Sequence, residues 1–379
     1  MRTTRILVLI AVGALGTALT ACGADKGGSA PTAGSEKIAV KAGDTTCQVA
    51  TTSLPAGTHV FEVTNSGAKV TEFYVYTPDN RVVGEVENIT PGLSRELHVE
   101  LPAGTYQAAC KPGMVGNGIR TALIVSGRGA ALDRDAALAQ AGAGYTRYIT
   151  EQAEALVQKT AEFVAAVKAG DVAKAKALYP DARTPYERIE PVAEIFGDLD
   201  QKIDGREDGA TAEIPFSGYH KLEKDLWVTG NISTDGPVAD RLLADVKEVV
   251  AKAKAEKLSP LQVANGAKEL LDEVASSKIT GEEERYSHTD LWDLAANVEG
   301  VQAVVAVLRP VLEKRDPALV KRIDAATVSV RDELARYRHG TNGWKLQTEL
   351  SQAQLKGLSD VINALAEPIS KVAGVIAAK

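Results

Sequence analysis

The chain has only five histidines among its 379 residues. One of them, His220, stands three positions before Glu223 in the stretch GYHKLEKDLW (218–227). Residues three apart on a helix share a face, so this imidazole and this carboxylate can point at a single ion. One such pair holds a metal poorly, and further ligands must come from other helices. The sequence offers them upstream: YERIEP places Glu187 and Glu190 three apart, and GDLDQKIDGRED adds Asp198, Asp200, Asp204 and Glu207, with Arg206 among them. A bundle interior fed by a Glu/His pair from one helix and carboxylates from others is a known way to build iron sites. An oxygen-rich ligand set of this kind suits hard cations.

The same residues also have purely structural readings. Glu187 follows Thr184 by three and completes a T-x-x-E capping box, with Pro185 at the first helical position. Asp198 and Asp200 can close a helix and open a loop. Arg206 can neutralise a buried carboxylate. His220 can be a satisfied, partly buried histidine, and His288 in SHTD a helix-entry residue. Spacing alone leaves both readings of each residue open.

The elements that must position these residues fall into two halves. A chain of this length is too long for one simple core, which gives a two-domain expectation. A net charge of -7 argues against a nucleic-acid partner, which needs a basic face. Arg2 and Arg5 precede an apolar run from Ile6 to Leu19 that is short for a membrane span and is flanked like a signal peptide (1–21). The small, polar stretch that follows Cys22 reads as a flexible tether (22–36). Outside the cytoplasm, Cys47 and Cys110 are expected to pair as a disulfide.

Residues 37–127 carry the strand pattern. THVFEVTN, TEFYVYTP, RVVGEVENI, RELHVELPAGTY and IRTALIVSG are short alternating runs separated by turn signals, as in a sandwich or small barrel. His59 shares parity with the apolar Phe61 and Val63 and is expected to face inward. His98 alternates against Leu97, Val99 and Leu101 and is expected to face solvent. Residues 128–142 read as a linker with some helix. From residue 143 onward the period is helical. Ile149, Ala153, Leu156, Thr160, Phe163 and Val167 form one apolar stripe, Gly170 closes that helix, and Asp171 can cap the next. Eight or so amphipathic helices follow, none apolar enough all round to span a membrane, which points to a double four-helix bundle.

These runs resemble a known family. TPYERIEPVAEIFGDLDQKIDGRED, FSGYHKLEKDLW and RYSHTDLWDLAANVEG resemble the imelysin-type domain of the EfeO-type iron-uptake lipoproteins of bacteria. VTEFYVY, RVVGEVENITPGLSRELHVELPAGTY and ACKPGMVG resemble their amino-terminal cupredoxin-like domain. LTAC, ending at Cys22, resembles a lipobox, which implies cleavage before that cysteine and a lipid on its sulfur. The resemblance implies an all-β cupredoxin-like sandwich (37–127) followed by an all-α imelysin-like double bundle (143–379). It implies a metal site at His220 and Glu223 with Glu190, Asp204 and Glu187, holding iron (Fe3+ or Fe2+) or zinc, with Arg206 in support. It also implies a copper or iron site at Cys47, Glu72 and Cys110, with a suggested role in oxidising ferrous iron. A blue-copper set is incomplete: Met114 is available, but no histidine follows Cys110 in its loop. A disulfide between the two cysteines would disable that site. The implied partners are an iron permease and a haem-containing peroxidase. The implied location is extracytoplasmic, either periplasmic or lipid-anchored on the outer face of the cell membrane. Two other functions compete. One is an imelysin-class metallopeptidase, although H-E-x-x-H is missing. The other is the binding of an acidic polysaccharide, which needs a basic cleft.

Overall fold

The computed structural model describes residues 37–128, 135–340 and 343–378. The signal segment, Cys22 with its proposed lipid, and the tether lie outside the described residues. Strand alternation builds the first domain. In β1 (Ile38–Ala42) Ile38, Val40 and Ala42 point inward while Ala39 and Lys41 face out. β2 (Cys47–Val49), β1, β4 (Gly57–Asn65) and β7 (Ser94–Leu101) form one sheet in that order. β3 (Ser53–Pro55), β9 (Ile119–Ser126), β8 (Gly104–Pro112), β5 (Thr71–Tyr76) and β6 (Val82–Ile89) form the other. β1 runs parallel to β4, and β3 runs parallel to β9. Phe61, Phe73, Leu97, Leu101 and Leu123 fill the space between the sheets.

Cys47 on the first sheet and Cys110 on the second are joined by a disulfide, with their Cα atoms 5.5 Å apart. The structure therefore takes the disulfide alternative, and the expected copper or iron site at Cys47, Glu72 and Cys110 is not formed. Neither sulfur is a free thiolate, and the third residue points elsewhere. Phe73 pairs with Cys110 and shares its inward face, whereas Glu72 pairs with Lys111 on the opposite face. Strand pleating puts adjacent residues on opposite faces of a sheet. His98 is also not solvent-facing as expected. Its side chain is 18% exposed, and the helix at Gly374 lies over it. His59 turns to the Pro55 carbonyl, 2.7 Å away, and does not enter the core.

Helices make up the rest. α1 (Ala136–Lys168) is capped by Asp135, whose carboxylate accepts from the amides of Ala137 and Leu138. Its expected stripe from Ile149 to Val167 is buried. Gly170 takes a φ of 70°, and Asp171 caps α2 (Val172–Glu187) through the Lys174 amide. The expected helix start at Thr184 is not observed. α2 runs straight through Pro180 and Pro185, and the Thr184 hydroxyl donates to the Pro180 carbonyl. A proline inside a helix costs about 3 kcal/mol. Here it is offset by the buried packing and ion pairs of this same turn. Glu187 is therefore the last residue of a long helix and not a capping residue.

α3 (Asp198–Asp204) and α4 (Gly218–Lys224) are short, and α4 runs on into a π turn at Asp225–Thr229. α5 (Gly236–Ala255), α6 (Pro260–Ser276), α7 (Asp290–Arg315), α8 (Pro317–Ala335), α9 (Gln352–Ile369) and α10 (Val372–Ala377) follow. α1 lies on α2, α5 and α7, while α6 and α8 lie on α7 and α9. The two bundles thus share α7. That explains a second departure from expectation: α7 is apolar enough by length and composition to cross a membrane, but 67% of its most apolar window is buried within the protein. Its apolar character is that of a core helix.

α6 also joins the two domains. Asn265 donates to the His98 carbonyl at 2.8 Å, and Arg95 meets Asp272 at 2.8 Å. Across from these contacts, β5, β6, α6 and the helical segment at 190–209 enclose a cleft of about 740 Å³.

Candidate metal centre

His220 reaches its place through backbone constraints. Gly218 opens α4 with a φ of 73°, and a Cβ there would lie 2.2 Å from the Ile203 carbonyl oxygen. Only glycine lets α4 approach the end of α3 this closely. That approach brings Asp204, the last residue of α3, beside His220.

The imidazole is 2% exposed and has carboxylates on both sides. On one side, Nδ1 is 3.2 Å from Glu223 Oε2 and 3.9 Å from Glu284 Oε1. On the other, Nε2 is 3.6 Å from Asp204 Oδ1 and 3.8 Å from Glu283 Oε1, with no hydrogen-bond partner. Two groups therefore have ligand atoms within 4.8 Å of one another: Asp204–His220–Glu283 and His220–Glu223–Glu284. Glu223 is fully buried, and its Oε1 accepts from the Tyr286 and Ser287 amides at 2.9 and 2.7 Å. Burial alone would raise its pKa. Pairing with His220 and those two amides outweighs burial and holds it below the usual carboxylate range.

The other expected residues lie one step away. Arg183 on α2 is fully buried and pairs with Glu187 at 2.6 Å, Glu284 at 2.6 Å, Asp293 at 3.3 Å and Glu283 at 3.7 Å, and it hydrogen-bonds Asp204. Lys278 pairs with Glu190 and lies 3.6 Å from both Glu187 and Glu283. Asn297 donates to Glu187 at 3.0 Å and to Glu190 at 2.6 Å. Glu187 and Glu190 are thus turned toward two cations and an amide and do not join the groups around His220. Arg206 meets Glu283 at 2.5 Å and neutralises a buried carboxylate. Asp200 accepts from the Tyr186 hydroxyl at 2.5 Å, Glu207 binds Lys224, and Asp198 is exposed. Nothing in the sequence reading singled out Arg183, Lys278, Glu283, Glu284 or Asp293.

The electrostatics follow from this packing. Burial and the Arg183 charge push the His220 pKa down, but pairing with Glu223, Glu283 and Asp204 outweighs them and carries it up to about 10. Burial lifts Glu284 to about 8, with the Glu223 charge adding to the rise. Glu283 goes the other way. Burial would raise it, but Lys278, His220 and Arg206 hold it well below the usual range. Such a centre can accept a multivalent cation in exchange for the ring proton: hard oxygen donors stand beside an imidazole nitrogen that no protein acceptor satisfies, and metal binding there releases the proton that this pairing holds. Asp204 and Glu283 of this centre, and Glu190 beside it, also line the cleft between the domains, while His220 lies behind them. In the same cleft, Glu85 and Glu87 of β6 meet Glu194 of the helical segment in a further carboxylate group.

Comparison with known proteins adds a second line of evidence. The imelysin family model matches residues 141–372, and the cupredoxin-like domain model matches residues 9–125. The chain is 40% identical over 349 residues to the iron uptake system component EfeO of Escherichia coli O157:H7, covering 90% of this chain and 91% of that protein. Over 354 residues it is 39% identical to the protein of the same name from Yersinia pestis, covering 92% of this chain and 93% of that one.

Proposed function

We propose, from the premise that the chain belongs to the EfeO family of iron uptake system components, that it captures iron outside the cytoplasm and hands it to a membrane permease. The iron is cargo. Its binding residues are Asp204, His220 and Glu283, with Glu223 and Glu284 holding the ring from its other side. The observation that carries this reading is the Nε2 of His220, which is buried, lacks a hydrogen bond, and faces two carboxylates while Glu223 engages Nδ1. A hydrogen bond on one ring nitrogen fixes the other for a metal. Carboxylates suit ferric iron, and one imidazole is compatible with either oxidation state. Glu187 and Glu190 form a supporting layer with Lys278, Arg183 and Asn297. In this reading, cargo enters through the acidic cleft between the domains, Cys22 carries a lipid that keeps the protein at the membrane, and a haem-containing peroxidase works in the same system. No peptidase step is assigned, since the described residues bring a single imidazole to the centre.

Iron titration of the soluble form beside His220→Ala and Asp204→Asn tests the reading. Both variants are expected to lose most of the binding. Parental affinity in both would overturn the site.

A further inference from the structure

Arg183 and His220 share their partners atom by atom. Asp204 Oδ1 accepts from Arg183 Nη1 and also lies 3.6 Å from His220 Nε2. Glu283 Oε1 lies 3.7 Å from Arg183 Nη2 and 3.8 Å from the same imidazole nitrogen. Glu284 Oε1 lies 2.6 Å from Arg183 Nε and 3.9 Å from His220 Nδ1. Among the described residues, only Glu223, of the carboxylates that face His220, makes no contact with the guanidinium.

From this coincidence we propose that Arg183 is a resident counter-cation that sets the strength of the metal centre by competing with the metal for the same oxygen atoms. The inference rests on the iron-binding reading above and adds to it a residue that tunes affinity. The chemistry of arginine suits the role. Its guanidinium keeps its proton at any physiological pH, so it cannot leave the cage by becoming neutral. Its planar fork spans several carboxylates at once, which a lysine ammonium does not. It is also pinned: the side chain is 1% exposed, and its guanidinium carbon lies 6.0 and 5.6 Å from the ring centres of Tyr179 and Tyr219. A buried carboxylate cage left without countercharge is costly. Arg183 meets that need for Asp204 and Glu284 when the cage holds no metal, and shares Glu283 with Lys278 and Arg206. When a cation arrives, it must take lone pairs that Arg183 already uses, and it does so against a fixed positive charge. The result is a folded empty state and a reversible hold, as a carrier that releases its cargo requires. Arg183 is a positioning residue in this scheme and not a ligand.

The test uses the soluble form of the full chain, ferric iron supplied as its nitrilotriacetate complex, and transfer of the iron to an external chelator. Arg183→Gln is expected to bind iron at least tenfold more tightly at pH 7.5 and to release it correspondingly more slowly. Arg183→Lys, which keeps the charge but not the fork, is expected to fall between that variant and the parent. Affinity equal to or weaker than the parent in a folded Arg183→Gln protein would overturn the proposal. Should that variant fail to fold, Arg183→Lys decides the matter by the same sign. A crystal structure of the iron-loaded parent gives a check free of any folding defect. The Arg183 Nη1 to Asp204 Oδ1 hydrogen bond is expected to be broken there, and its persistence would overturn the idea. Undiminished binding by His220→Ala would remove the centre itself. Lost binding there, with no gain from the Arg183 variants, would remove only this inference.

Discussion

Nδ1 of His220 stands 3.2 Å from Oε2 of Glu223 within one turn of α4, and the second oxygen of Glu223 accepts the Tyr286 and Ser287 amides. The carboxylate thus ties the ring to the segment leading into α7. Removing its charge while keeping its shape separates orientation from ligation. Glu223→Gln is expected to keep the fold and weaken iron binding about 10- to 100-fold, the usual cost of losing an outer partner of a ligating histidine. Isothermal titration would read it, and unchanged affinity would show that Glu223 does not position the ring.

The approach of α4 to α3 gives a second prediction. Gly218→Ala adds a Cβ 2.2 Å from the Ile203 carbonyl oxygen at a φ of 73°. The strain is about 2 kcal/mol or more, because both the left-handed backbone and the contact resist it. α4 must then shift, so iron binding should fall together with the melting temperature. Gly230→Ala is the control. Its φ is 62°, with nothing within 4 Å of an added Cβ. It should cost only about 1 kcal/mol and leave binding intact.

Periodicity made His220 and Glu223 legible, because both lie on one helix and their spacing alone puts them on one face. Asp204 was legible only as one of several acids in a loop-like run, since nothing local says that Gly218 brings it to the imidazole. Glu283 and Glu284 sit in GEEER, which reads as a solvated acidic stretch, although both are buried. Asp293 was hidden in α7, where valines, leucines and alanines dominate; an acid inside such a run was the available signal. Arg183 and Lys278 leave no periodic trace, since a buried cation is fixed by partners distant in sequence. The T-P-Y-E pattern misled because proline at a helix start and proline inside a helix look alike locally, and tertiary ion pairs decided between them. On the strand side, alternation gave the sheets, but it assigned His98 to solvent because it carries no information about a neighbouring domain.

The disulfide gives a third prediction. Cys47 and Cys110 are 63 residues apart, and closing a loop of that size in the unfolded chain is worth about 4 kcal/mol. The double variant Cys47→Ser with Cys110→Ser should lower the stability of the β-sandwich by about 2–4 kcal/mol in urea unfolding followed by tyrosine fluorescence. Iron binding by the helical centre should not change, since neither cysteine belongs to it. A loss of iron stoichiometry in that variant would reopen a metal role for the pair.

Glu72 supplies the pH dependence. It is 5% exposed beside the cleft, and burial lifts its pKa from the ordinary 4.5 to about 8. The charges of Glu87 and Glu194 add to that rise, while Lys111, 3.8 Å away, and Tyr74 oppose it. A carboxyl raised on folding binds more protons in the folded chain than in the unfolded one between those two values. Stability must therefore fall as pH rises from about 4.5 to about 8, the reverse of the usual salt-bridged acid. Glu72→Gln removes the proton and keeps the volume. Its denaturation midpoint should be flatter over this range than the parent's, and the variant should gain about 1–2 kcal/mol relative to the parent at pH 8 after allowance for screening by water in the cleft. Parallel profiles for the two proteins would place Glu72 in an ordinary ionised state, with Lys111 outweighing burial.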